Sequence, residues 1–107
     1  MKITKSNSIK EDWDNVKSWN YKLIDTGEKY QSVVYAELNG IHGEVNTKSI
    51  ERVYYILSGK GEFKIENELT PVETGDVITI PPNTKYDYWP TSDETLKLIL
   101  FMELWEN

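Results

Sequence analysis

His42 is the only histidine in this chain and Arg52 the only arginine, set among eighteen carboxylates. Chemistry that needs two imidazoles within one chain is therefore excluded. With no cysteine there is no thiol nucleophile, no disulfide and no thiolate-bound zinc or iron–sulfur cluster. His42 lies between Gly40 and Gly43 and reads as a loop or strand-end residue; as a general base it needs a partner that spacing does not supply. The planar fork of Arg52 suits a carboxylate or a phosphate. The competing reading is an internal ion pair with Glu37, Glu44 or Glu103. Lys48 is either a second inward cation or a solvated loop lysine. Tyr54 shares a strand face with Arg52, and Tyr86 shares one with Tyr88. Such tyrosines are half-buried core aromatics or ligand contacts, and their hydroxyls need partners where buried.

The elements that must position these residues are short strands. Arg52 to Phe63, RVYYILSGKGEF, is a β-branched and aromatic run, a Ser-Gly-Lys-Gly turn and a polar/apolar alternation. It reads as a strand, a tight reversal and a second strand. The same grammar returns in GDVITIPPNTKYDYW from Gly75 to Trp89, where Gly-Asp opens a strand and Pro-Pro-Asn breaks it. YQSVVYAEL, from Tyr30, is a strand closed by Asn39-Gly40, a hairpin signal. Glu62 to Glu66 reverses at Asn67, and Leu69 to Glu73 ends at Gly75. Asp25 to Glu28 is a turn. Glu11 to Ser18 is read either as a turn of helix or as a sheet edge.

The last run, Leu96 to Trp105, is apolar on both parities. A strand of that kind is buried on both faces, so its outer face is covered by the N-terminal segment folding back or by a second subunit. Eight strands at regular spacing indicate an all-β fold, a small antiparallel β-barrel or sandwich. The whole chain, 1–107, reads as one domain, with 1–29 as an N-terminal segment and 30–105 as the barrel core.

Composition narrows the partners. A net charge of −6 argues against nucleic acid and against anionic membrane surfaces. No apolar run approaches the roughly 18 residues of a spanning helix, and the start, MKITKSNSIKEDW, lacks a signal-peptide core. The expectation is a cytoplasmic protein.

The two strand-turn-strand units resemble the paired motifs of the cupin superfamily, small jelly-roll-like barrels. Gly40 and Gly59 match the outer glycines of the first motif. Gly75 and Pro81 match the second, with Asn83 where glycine is usual, an exchange that tolerates a left-handed turn. The family's metal is held by three histidines and a glutamate. The matching positions here are Asn46 and Lys48 (Val45 and Thr47 if the motif's longer spacing applies), Tyr86 and Arg52, and a lysine and an arginine repel a divalent ion. The resemblance thus implies the fold without the metal site and without a cofactor.

Three functions fit. The first is a metal-free module binding a small molecule with a carboxylate, phosphate or sugar-like character, through Asn46, Lys48, Arg52, Tyr54, Tyr86 and Tyr88. The second is a metal-independent isomerase, epimerase or cyclase. The third is an interaction domain with a filled interior. The doubly apolar last strand favours a homodimer.

Overall fold

The computed structural model describes residues 2–22 and 32–103. Its ten strands form two antiparallel sheets, apart from one turn of 3-10 helix at Lys5–Asn7. The six-stranded sheet runs β1 (Ile9–Trp13), β2 (Val16–Lys22), β3 (Ser32–Leu38), β10 (Leu96–Met102), β5 (Arg52–Ser58), β8 (Val77–Ile80). The four-stranded sheet runs β4 (Val45–Asn46), β9 (Lys85–Pro90), β6 (Lys60–Ile65), β7 (Glu68–Glu73). The all-β class expected from the turn spacing is the class observed.

Residues 9–22 are strands, not helix. They form a hairpin around Asp14-Asn15, with Asp14 at φ 41°, and extend the sheet of β10 rather than folding over its outer face. The core sheet therefore begins at Ile9 and not near Tyr30. The Asp25–Glu28 turn, Leu104 and Trp105 lie outside the described residues.

Two expected hairpins are corners between the sheets. β5 pairs with β10 and β8, whereas β6 pairs with β7 and β9, so Ser58-Gly59 carries the chain from one sheet to the other. Gly59 makes this corner at φ +94°, and a Cβ there would come within 2.9 Å of the Thr95 carbonyl oxygen. Asn39-Gly40 likewise leads from β3 in the large sheet toward β4 in the small one. Local turn chemistry marked where the chain bends; sheet pairing decided what each bend connects. The Glu66-Asn67 turn is a true hairpin, joining β6 to β7. Asn83 does adopt the left-handed conformation, at φ 56°.

The facing sides of the sheets enclose the core. Leu38, Ile56, Phe63, Ile80, Leu96 and Leu98 are fully buried. Burial falls along β10 from Leu96 and Leu98, both at 0% exposure, to half-buried Leu100 and Met102. One end of the sandwich is packed solid and the other opens. Among the described residues no helix is long and apolar enough to cross a membrane.

Candidate functional site

The open end is a cavity of about 220 Å³. Its walls follow from strand parity. Val34 and Ala36 of β3, Leu98, Leu100 and Met102 of β10, and Arg52 and Tyr54 of β5 all project from the inner face at the same end of the sheet. Glu11 and Trp13 of β1 with Val16, Ser18 and Asn20 of β2 continue that wall. Tyr88 of β9, Val45 of β4 and His42 close it from the other sheet. An apolar lining with a few converging polar groups is the usual make-up of a ligand site.

His42 is held in place along β9. Its backbone N–H donates to the Tyr88 carbonyl at 2.9 Å, and the next N–H, of Gly43, donates to Asp87 Oδ1 at 2.8 Å. The imidazole stacks on Tyr88 at 4.6 Å between centroids and 20° between planes, and Trp13 meets it edge-on at 5.2 Å. Nδ1 lies 2.9 Å from the Gly43 carbonyl oxygen. A carbonyl only accepts, so the bond assigns the proton to Nδ1 and leaves the lone pair on Nε2. Burial holds the imidazole below its usual pKa, against the Gly43 bond and Asp87, which favour protonation.

Behind the cavity runs a chain of phenols. Arg52 Nη1 donates to the Tyr86 hydroxyl at 2.7 Å, and the Tyr86 and Tyr54 hydroxyls share a short hydrogen bond. Tyr54 packs at a tilt against Tyr88, which in turn stacks on Phe63 at 4.6 Å. Burial pushes all three phenols well above the normal tyrosine range, so each keeps its proton. Protonated phenols are donors as well as acceptors, which suits them to meet negative charge developing on a bound molecule.

Of the six residues expected to form a ligand site, Arg52, Tyr54 and Tyr88 line the cavity, and Tyr86 supports Arg52 from behind. Asn46 and Lys48 do not line it. Asn46 is exposed on the two-residue edge strand β4, and its side chain accepts from the Lys48 backbone N–H. Lys48 is exposed in the following turn, at φ 56°. Val45 faces the cavity and Thr47 is buried, so alternation along the chain turns Asn46 and Lys48 outward. The hairpin residues Glu11, Trp13, Ser18 and Asn20 were not anticipated. Their alternation was readable, but only the pairing of β2 with β3 brings it to the cavity.

The positions that match the family's metal ligands hold two exposed side chains, a guanidinium and a phenol. Among the described residues no three His, Cys, Asp or Glu side chains gather as a metal would require. This donor set does not fit a divalent metal.

Fold and site together define a two-sheet β-sandwich with a ligand-sized cavity at one end. Residues 40–102 match the model of the cupin domain, and the chain belongs to that family. An uncharacterised protein of Methanocaldococcus jannaschii is 39% identical over 49 residues, which are 46% of this chain and 39% of that protein. The match thus spans about two fifths of that relative. A predicted oxalate decarboxylase of Thermotoga maritima superposes with a TM-score of 0.83 at 20% identity, over 98% of this chain and 100% of that one. Pac13 of Streptomyces, described as a nucleoside dehydratase, superposes at 0.82 with 24% identity, over 100% of this chain and 84% of that one. Its variants with a tyrosine changed to phenylalanine, or a histidine to glutamine, have been solved with uridine. The cupin domain of Schizosaccharomyces pombe Cnp3 superposes at 0.70 with 15% identity, over 80% of this chain and 64% of that one. At these identities the likeness is one of fold.

Proposed function

We propose that this chain binds a hydroxylated small molecule, one ring of it inside the cavity, and that His42 acts on it as a metal-independent general base. The observation that carries this reading is the bond from His42 Nδ1–H to the Gly43 carbonyl, which leaves Nε2 as a proton acceptor on a half-buried, stacked ring. A base must be neutral at working pH, and burial keeps this imidazole so. Tyr88, stacked on the imidazole, and Tyr54, packed against Tyr88, are both protonated and are the donors for an oxyanion that forms when the proton leaves. The reaction class is abstraction of a proton from carbon by Nε2, the proton then returning to a neighbouring carbon in an isomerisation or leaving with a departing hydroxyl group as water in an elimination.

Size supports a small ligand. An engineered apolar cavity of about 150 Å³ admits benzene, and drug-sized sites run from roughly 300 Å³ upward. The volume of about 220 Å³ takes one substituted ring, with the remainder at the mouth. A nucleoside is the favoured class, because Pac13 is described as acting on nucleosides and the same residue types, one histidine and two tyrosines, meet here at His42, Tyr54 and Tyr88.

Calorimetric titration with uridine tests the binding, and mass spectrometry of a nucleoside panel incubated with the protein tests the reaction. Saturable uridine binding, with a turnover abolished in His42→Gln, is expected. Absence of uridine binding at millimolar concentration would overturn the nucleoside reading. Binding with no turnover of any panel member would reduce the site to a binding module.

A second copy is the favoured partner for the outer face of the large sheet. Trp19, Tyr35, Ile99, Tyr55 and Val77 form one cross-strand row there, and Tyr21, Val33, Phe101 and Val53 form the next. Val77, Tyr55 and Leu57 on that face are 59%, 40% and 38% exposed. Two adjacent apolar rows across four or five strands suit sheet-on-sheet packing. Light scattering that returns a monomer at tens of micromolar, a rough range covering a weak dimer, would overturn this pairing.

A further inference from the structure

The inner face of the β1–β2 hairpin carries two polar groups that neither the phenol chain nor His42 uses. Glu11 and Asn20 both line the cavity. In the ladder Ile9 faces Asn20 and Glu11 faces Ser18, so Glu11 and Asn20 are diagonal neighbours on one face of adjacent strands. Diagonal pairs stand about 7–8 Å apart, somewhat less at Cβ, within reach of long side chains. Ser18, opposite Glu11, is committed elsewhere: its hydroxyl donates to the Glu11 backbone carbonyl at 2.6 Å.

The two groups are complementary. A carboxylate only accepts hydrogen bonds. The Asn20 amide is turned the other way, because its Oδ1 accepts from the buried Ser32 hydroxyl at 3.1 Å and directs the NH₂ group away from that contact. An acceptor and a donor at this spacing match two neighbouring hydroxyls, each bonded at about 2.7–2.8 Å in the O–H···O case. The same chemistry lets an acidic side chain read a ribose hydroxyl in dinucleotide-binding folds. The apolar wall beside them, Val34, Leu100 and Met102, suits the face of a ring.

We infer that Glu11 and Asn20 form a subsite for a vicinal diol, which makes the cavity selective for ribose-like over deoxyribose-like ligands. This rests on the nucleoside reading above and adds the end of the ligand that the reading leaves unassigned. Trp13 lies on the same face of β1 as Glu11 and touches the imidazole of His42 edge-on. A diol held on Glu11 is thereby brought up against the base, and the hairpin serves as the specificity element of the site.

Calorimetric titration of wild type, Glu11→Ala and Asn20→Ala with uridine and with 2′-deoxyuridine tests it. β1 is exposed along its length, so Glu11→Ala leaves the packed core untouched. Wild type is expected to prefer uridine at least tenfold, since a site built to bind a hydroxyl rejects the analogue lacking it. The preference is expected to fall toward unity in Glu11→Ala and to shrink in Asn20→Ala, with 2′-deoxyuridine binding little changed. Equal wild-type affinity for the two nucleosides overturns the diol subsite and leaves the base site standing. A preference that survives intact in both variants overturns the assignment to these residues. Failure of wild type to bind uridine at all overturns the subsite together with the nucleoside reading.

Discussion

Arg52 Nη1 donates to the hydroxyl of Tyr86 at 2.7 Å, thirty-four residues along the chain and on the opposite sheet. The contact ties the two sheets at the open end of the sandwich, where the apolar core thins out. It also aligns the phenol chain, because the same hydroxyl bonds Tyr54.

Tyr86→Phe removes that hydroxyl while keeping the ring, which is only 1% exposed. Two buried groups, the guanidinium and the Tyr54 hydroxyl, lose a partner each. The expected cost is about 1–3 kcal/mol, read as a lower urea midpoint with an unchanged m-value. An unchanged midpoint would mean that water replaces the hydroxyl and that the chain contributes no stability.

Stability should depend on the protonation of His42. Its folded pKa lies below the ordinary imidazole value of 6.5, with burial as the first cause. The unfolded state then binds more protons in the window between the two values. The contribution of the half-buried neutral ring is complete above pH 6.5 and is lost as pH falls through the window toward the folded pKa. Melting temperature should therefore decline as pH falls below about 6.5, ahead of most carboxylates, and His42→Gln should flatten that segment. A wild-type curve flat over this range would remove the basis for a neutral base.

Gly59→Ala and Gly43→Ala separate strain from collision. Both glycines have positive φ, +94° and +104°, but a Cβ at Gly59 would meet the Thr95 carbonyl oxygen at 2.9 Å, whereas one at Gly43 meets nothing within 4 Å. Backbone strain alone costs about 1–3 kcal/mol. Gly43→Ala should fall within that range and should also disturb the His42 ring, whose Nδ1 partner is the Gly43 carbonyl. Gly59→Ala should cost more, because backbone has to move. Equal losses in denaturant titrations would refute the distinction.

Arg52 gives the cavity wall a positive charge. Uridine 5′-monophosphate should bind more tightly than uridine, by several-fold, and the gain should weaken with salt. Arg52→Gln should remove the gain without abolishing uridine binding. Identical affinities for the two ligands in wild type would show that Arg52 serves only to hold Tyr86.

Local sequence determined the strands, the turns and the parity of each inward side chain. Arg52 with Tyr54, and Tyr86 with Tyr88, could be assigned to common faces because alternation along a strand is a property of the backbone itself. Asn83 could be assigned to a left-handed turn because few side chains tolerate that conformation. Tertiary structure alone decided which strands are neighbours. Gly59 and Asn39-Gly40 read as hairpins, yet they join different sheets, because pairing follows from burying both apolar faces together and not from the turn. Lys48 left the expected site because the pairing of Val45 with Tyr86 turns Val45 and the buried Thr47 inward in its place. Glu11 and Asn20 entered it when the β1–β2 hairpin docked beside β3. His42 looked like a strand-end residue, and its place against Tyr88 rests on hydrogen bonds to a strand some forty-five residues later in the chain. Such long-range contacts leave no periodic trace, so the site could not be read before the sheets were assembled.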